Sequence, residues 1–289
     1  MFQVDGQQRL VWHHGPTYPR PFFFPLTDPR GNYLTRMGHP GAPNHEHHRS
    51  IWFGHQNVAG RNFWEDGHGT TIRQRQWLCY QDGTDAATMA VALDWFDRAA
   101  DRPLVEQELI VMVMPWEKET LVELQATFRP VGKQIEFGQT NFGFLGVRVA
   151  KTVSVYFGDG VLADSEGRLG EPAIFGRPAR WVDYSGAVGT AAHAARGGIT
   201  YFDHPQNPGF PNRWHVRGDG WMLAAPCMER AIVATRDQPL VLRYLLHAHR
   251  GPVQADIANK LAQAFAGRTR LELARAPSPH VQYQVRRAG

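Results

Sequence analysis

The chain has 289 residues with 43% hydrophobic content, enough to bury a substantial core, and its length is compatible with one large all-β domain or two smaller ones. Its formal charge is +4 and its pI about 9.2, but Lys is rare and the arginines are mostly scattered singly. That pattern argues against nucleic acid as a partner, and no run reaches the roughly 20 apolar residues of a membrane span. Cys79 and Cys227 are too few and too far apart for a disulfide framework or a C-x-x-C site.

The start, Met1-Phe2-Gln3-Val4-Asp5, lacks the basic-then-apolar order of a secretory signal, so a reduced cytoplasmic setting is expected. The densest chemistry lies at residues 44–67, where His45, His47, His48 and His55 fall beside Arg49, Trp52, Phe53, Phe63, Trp64, Glu65 and Asp66. If residues 45–53 are extended, His45, His47, Arg49, Ile51 and Phe53 share one face and Glu46, His48, Ser50 and Trp52 the other. On a straight strand His47 and His55 would lie about 26 Å apart, so they share a site only if the chain folds back after Gly54. H-E-x-x-H is absent, because Arg49 stands where the second His is needed.

Strand signals follow. Met89, Val91, Leu93 and Trp95 alternate, residues 109–114 form a continuous apolar run, and Val122, Leu124, Ala126 and Phe128 alternate with polar residues. Further strands are expected at 146–150, 153–157, 199–202, 231–235 and 240–247, separated by many of the 29 Gly and 20 Pro. One sizeable helix is expected over 253–266, where Ile257, Ala258, Leu261, Ala262 and Phe265 recur at helical spacing before Gly267. The expectation is one large antiparallel β-sandwich spanning 1–289 with a C-terminal helix. By analogy of length and class it compares with sandwiches of the galactose-mutarotase type.

Four blocks carry candidate chemistry. Imidazole suits both acid/base work and metal ligation, which marks the histidine-rich stretch, although hydrogen-bonded structural histidines would also fit there. Asp203-His204-Pro205 and Trp214-His215-Val216-Arg217 enclose a loop stiffened by Pro205, Pro208 and Pro211. On a strand, His215 and Arg217 would project together. In residues 177–184, Arg180 and Tyr184 share one face and Trp181 and Asp183 the other, and an aromatic beside a carboxylate suits a sugar. Glu166 lies in the loop Asp164-Ser165-Glu166-Gly167. No phosphate-loop or dinucleotide spacing is present.

The order H-x-H-H-R-S-I-W-F-G-H, then N-V-A-G and F-W, resembles the signature of the PmoA-like family, a domain of unknown function long labelled as methane oxygenase. Arg20-Pro21-Phe22-Phe23 upstream, with residues 163–167, 176–186 and 202–217 downstream, is similar to its other blocks. That family has an Asp before the first His and a Pro after it, where this chain has Asn44 and Glu46. The resemblance implies no established activity.

The functional expectation is an enzyme acting on a small-molecule carbohydrate or sugar derivative, as an epimerase, lyase or hydrolase. His47, His48, His55, Asp183, His204 and His215 are the expected catalytic groups, and Arg49, Trp52, Glu166, Arg180, Trp181 and Arg217 the expected substrate contacts. No cofactor is expected. One alternative is a divalent metal held by histidines of the 45–55 cluster with Glu46, Glu65 or Asp66; another is a non-catalytic sugar-binding protein. The sequence leaves the oligomeric state open.

Overall fold

The computed structural model describes residues 1–39, 42, 45–189 and 195–289; Asn44, at the head of the histidine-rich stretch, lies outside them. The chain is an all-β sandwich with 51% of its residues in strands and 7% in helices. One sheet has seven strands in the order β1 (Phe2–Val4), β2 (Gln7–His13), β3 (Phe22–Leu26), β4 (Ile51–His55), β10 (Gly143–Arg148), β15 (Trp221–Ala224) and β14 (Trp214–Arg217). The other has eight, ordered β11 (Val161–Asp164), β12 (Trp181–Val188), β13 (Ala195–Asp203), β17 (Leu240–Arg250), β8 (Glu119–Pro130), β7 (Val105–Trp116), β6 (Ala87–Asp97) and β5 (Thr70–Gln81). Two short ribbons, β9 (Gln134–Phe137) with β16 (Ile232–Thr235) and β18 (Leu271–Arg275) with β19 (Tyr283–Arg287), complete the pairing. Every strand pair is antiparallel.

Alternation decides which side chains fill the space between the sheets. Ile51 and Phe53 of β4, Leu145 and Val147 of β10, and Val216 of β14 meet Leu109, Val111, Leu124, Phe128 and Tyr244 of the opposite sheet in one core. The apolar run 109–114 is covered on both faces, since Ile110 points outward beneath the C-terminal ribbon with Cys79, Ala90 and Leu271. On the same outer face, α2 (Ala255–Ala266) lays Ala258, Leu261 and Phe265 over Leu121, Trp181, Phe202 and Leu245. Burying Leu261 and Phe265 contributes about 1.5–3 kcal/mol each.

Two expectations of extended chain are corrected. Residues 153–157 are not a strand: Lys151–Val153 forms a 3₁₀ turn, and the Ser154 hydroxyl donates to Lys151 O (2.7 Å) and accepts the Phe157 N–H (3.3 Å). A serine side chain that serves its own backbone competes with a ladder, and Tyr156 is left exposed. Residues 45–50 are also turned rather than extended, with the His48 N–H donating to His45 O and Ser50 at φ 57°.

The chain does fold back after Gly54, although the turn is not at Gly54 itself. Gly54 lies within β4, where a Cβ would stand 2.8 Å from the carbonyl oxygen of Phe63; glycine there permits close packing of the returning chain. The reversal comes at Val58–Arg61, where each backbone N–H bonds the other residue's carbonyl.

Candidate functional site

The strand order places the site. Because β10 lies between β4 and β15, Trp52 stands opposite Gly146 and Trp221 opposite Arg148, which puts both indoles on the outer face of the seven-stranded sheet. A Cβ on Gly146 would sit 2.3 Å from the ring of Trp221, so glycine is what lets the indoles of Trp52, Trp64 and Trp221 close up, with centroids 5.0–5.4 Å apart. Above this aromatic floor opens a cavity of about 290 Å³. The turned segment before β4 brings His45, His47 and His48 to it, β14 brings His215 and Arg217, β10 brings Arg148, and the β14–β15 hairpin brings Asp219 and Trp221. Glu65 and Phe142 complete the wall. The two histidine blocks therefore meet in space.

The turn matters here. Strict alternation would have pointed His47 and His48 to opposite sides, whereas their rings lie 4.3 Å apart at the cavity, and His45 lies 4.9 Å from His48. His48 stacks on Trp221, with centroids 4.8 Å apart and planes inclined by 14°. His215 packs edge-on to Phe142 and Phe175, and its Nδ1 lies 3.0 Å from the carbonyl oxygen of Asn141. A carbonyl only accepts, so Nδ1 carries the proton and Nε2 keeps its lone pair in the neutral ring.

Burial holds these imidazoles neutral. It lowers the His47 pKa to about 4, helped by Arg20, and the His215 pKa to about 4, helped by Arg217. His48 is lowered further, by burial and then by Arg148, and His45 is also lowered, chiefly by burial. At neutral pH the cavity thus presents bases rather than imidazolium ions.

The cations there are tied down. Arg148 grips Asp219 with two hydrogen bonds, 2.6 and 3.2 Å. Burial alone would raise the Asp219 carboxyl, but the bonds and charge of Arg148 hold it below its ordinary value. Arg217 donates to Glu171 (2.8 Å), the first residue of the short helix α1 (Glu171–Ile174), and stacks over Phe175. Three buried polar atoms of the lining residues have no hydrogen-bond partner among the described residues: His48 Nδ1, Arg148 Nε and Trp221 Nε1. Partnerless buried groups cost about 1–3 kcal/mol each, and Trp52 Nε1 and Trp64 Nε1 in the indole cluster behind them share that status.

Of the expected site residues, the structure joins His47, His48, His215 and Arg217. Arg49 is nearby but spent on both oxygens of Asp66, which Arg20 also holds. Trp52 lies behind Trp221 in the buried aromatic cluster. The outermost indole, which lines the cavity, is Trp221.

The remaining expected residues lie elsewhere. His55 faces the core between Phe137 and Phe144, accepts the Asn57 N–H at Nδ1, and is lowered to about 3 by burial. His204 donates from Nε2 to Phe265 O and accepts the Gln206 N–H at Nδ1, so it ties the end of α2 to the proline-rich loop. Asp183 is on the outer face of the other sheet, bound by Ser185, Thr200 and His249. Trp181 is buried under α2 and, with the exposed Arg180, donates to Asn259. Glu166 is in a surface loop organised by Asp164.

The site residues that sequence reasoning missed are Arg148, Asp219, Phe142 and Trp221; His45 entered as a member of the histidine cluster and Glu65 only as a possible metal ligand. One signal was present: Arg148 ends the otherwise apolar Phe144-Leu145-Gly146-Val147 run, where a fully buried Arg requires a carboxylate. Among the described residues, no group of three or more His, Cys, Asp or Glu is placed to hold a metal ion. Among them, too, no helix is long and apolar enough to cross a membrane.

A model described as "Family of unknown function (DUF6807)" matches residues 1–263, most of the chain, and the chain belongs to that family. The finding overturns the PmoA-like assignment, to which nothing ties the chain. No curated protein matches it.

Proposed function

We propose that this member of a family of unknown function is an enzyme acting on a carbohydrate or sugar derivative in the cavity where the two histidine blocks meet. The observation that carries the reading is the joining of neutral imidazoles from two distant segments with carboxylates around one cavity. Neutral His47 and His215 suit proton abstraction from a hydroxyl or from a carbon beside a carbonyl. The imidazolium so formed then returns the proton, the step shared by epimerases, lyases and hydrolases that work by acid/base chemistry.

The lining mixes imidazoles, the carboxylates of Glu65 and Asp219 and the guanidinium of Arg217 with the edge of Phe142, which suits a small polar guest such as a sugar. A volume of about 290 Å³ is at the lower end of small-molecule sites, which suits one monosaccharide unit. Asp183, one of the catalytic groups expected from the sequence, is on the other sheet and has no part in this mechanism.

A panel of monosaccharides, keto-sugars and sugar acids tests the reading by tryptophan fluorescence and thermal shift. The expected result is quenching that survives Trp181→Phe and is lost in Trp221→Phe. A panel with no quenching and no shift leaves the carbohydrate reading without support, and binding without turnover leaves a sugar-binding protein.

A further inference from the structure

Glu171 is the first residue of a four-residue helical turn, and both its oxygens are committed. Oε1 accepts from Arg217 at 2.8 Å, and Oε2 accepts from the Gly218 N–H at 2.6 Å and the Tyr156 hydroxyl at 3.2 Å. Phe175, four residues on, lies under the guanidinium at 4.5 Å. The turn therefore clamps Arg217 between a carboxylate and a ring. Arg217 is the most exposed cation at the cavity, with 44% of its side chain open, and would otherwise be the natural anchor for an anion.

The other cation is neutralised in the same way, since Arg148 is wholly buried and paired end-on with Asp219. Glu65 adds a further carboxylate, and the histidines are neutral. A guest with a carboxylate or phosphate would thus meet no unpaired cation among the lining residues; Arg36, which donates to the Asp219 carbonyl, lies outside that lining.

We propose that Glu171 sets the substrate class of the cavity: by occupying Arg217, it makes the site accept uncharged sugars and reject uronates and sugar phosphates. The proposal rests on the carbohydrate reading for its ligand, but the exclusion of anions is testable without any sugar.

The experiment titrates the full chain and its Glu171→Gln variant with inorganic phosphate, with a neutral hexose and with the matching uronate. Binding is followed through the ¹⁵N shift of His215 Nε2 and through tryptophan fluorescence. The wild type is expected to ignore phosphate and to favour the hexose over the uronate by about tenfold or more, the scale of a like-charge penalty. Glu171→Gln, with Arg217 released, is expected to gain a phosphate response and to lose that preference. A wild-type response to phosphate, or a wild-type preference for the uronate, overturns the proposal without any variant. So does a folded Glu171→Gln that stays blind to anions. Failure of every sugar, with phosphate behaving as expected, overturns the carbohydrate reading and leaves the anion exclusion standing.

Discussion

The outer faces of the two sheets each carry a histidine cluster, and the two differ in what their histidines touch. On the eight-stranded sheet, beside a cleft of about 140 Å³ near the start of α2, every histidine has a carboxylate: His247 donates to Glu119 at 2.6 Å and His249 to Asp183 at 2.8 Å. Asp183 also takes the hydroxyls of Thr200 and Ser185, and Glu119 takes the Arg250 N–H. On the seven-stranded sheet, His47, His48 and His215 have no carboxylate bond among the described residues, and polar atoms beside them lack partners there too. A fully bonded cluster holds a structure together, whereas an incompletely bonded one is ready to receive something else. The charges follow the contacts only at His249, since burial holds His247 below its ordinary value in spite of Glu119. Burial opposes protonation of His249, yet Asp183 overcomes it and the pKa stands above the ordinary value, while His47 and His215 fall to about 4.

The largest expected effect is on the bonded side. Asp183→Ala strips a buried imidazole and two hydroxyls of their common acceptor, and breaking such a buried network costs about 3–5 kcal/mol. Thermal unfolding of the variant should show Tm lower by roughly ten degrees, with ligand binding at the other sheet retained in the folded fraction. An unchanged Tm would erase the contrast between the clusters.

Next come His47→Ala and His215→Ala, which should each lower turnover about a hundredfold or more and move Tm by only a few degrees. If these variants unfold while their folded fraction stays fully active, the histidines of the cavity are structural after all.

The smallest effect sharpens the comparison through pH. His47 and His215 are depressed in the fold, so between about pH 6.5 and 4 the unfolded chain binds more protons than the folded one, and stability falls as the pH is lowered through that window. His249 has the opposite sign: its contribution is complete below the unfolded value of about 6.5 and is lost as pH rises through its higher folded pKa. Tm measured against pH should therefore lose part of its acid-side slope in His215→Gln and part of its alkaline-side decline in His249→Gln. Equal profiles for both variants would contradict the assignment of opposite charge states. Turnover, if it depends on bare imidazoles, should keep its acid limb near pH 4 rather than 6.5.

The comparison also separates what could be read from the chain alone. Alternation at 89–95 and 122–128, the apolar run at 109–114 and the helical spacing of Ile257, Leu261 and Phe265 specified strands and one helix, because local period reports which faces are covered. The same rule placed His215 and Arg217 on one face of β14. It failed at 45–50 and 153–157, where backbone turns and a serine hydroxyl broke the period, and no local pattern announces that.

Residue type marked the histidine-rich stretch as chemical. Only the tertiary structure decided that His47 and His48 join His215 while His55 turns inward, and that Asp183 serves the other sheet. That depended on β10 pairing with both β4 and β15, a contact between segments far apart in the chain. The identity of an imidazole's neighbour, and therefore its charge, is a property of that pairing rather than of the sequence around it.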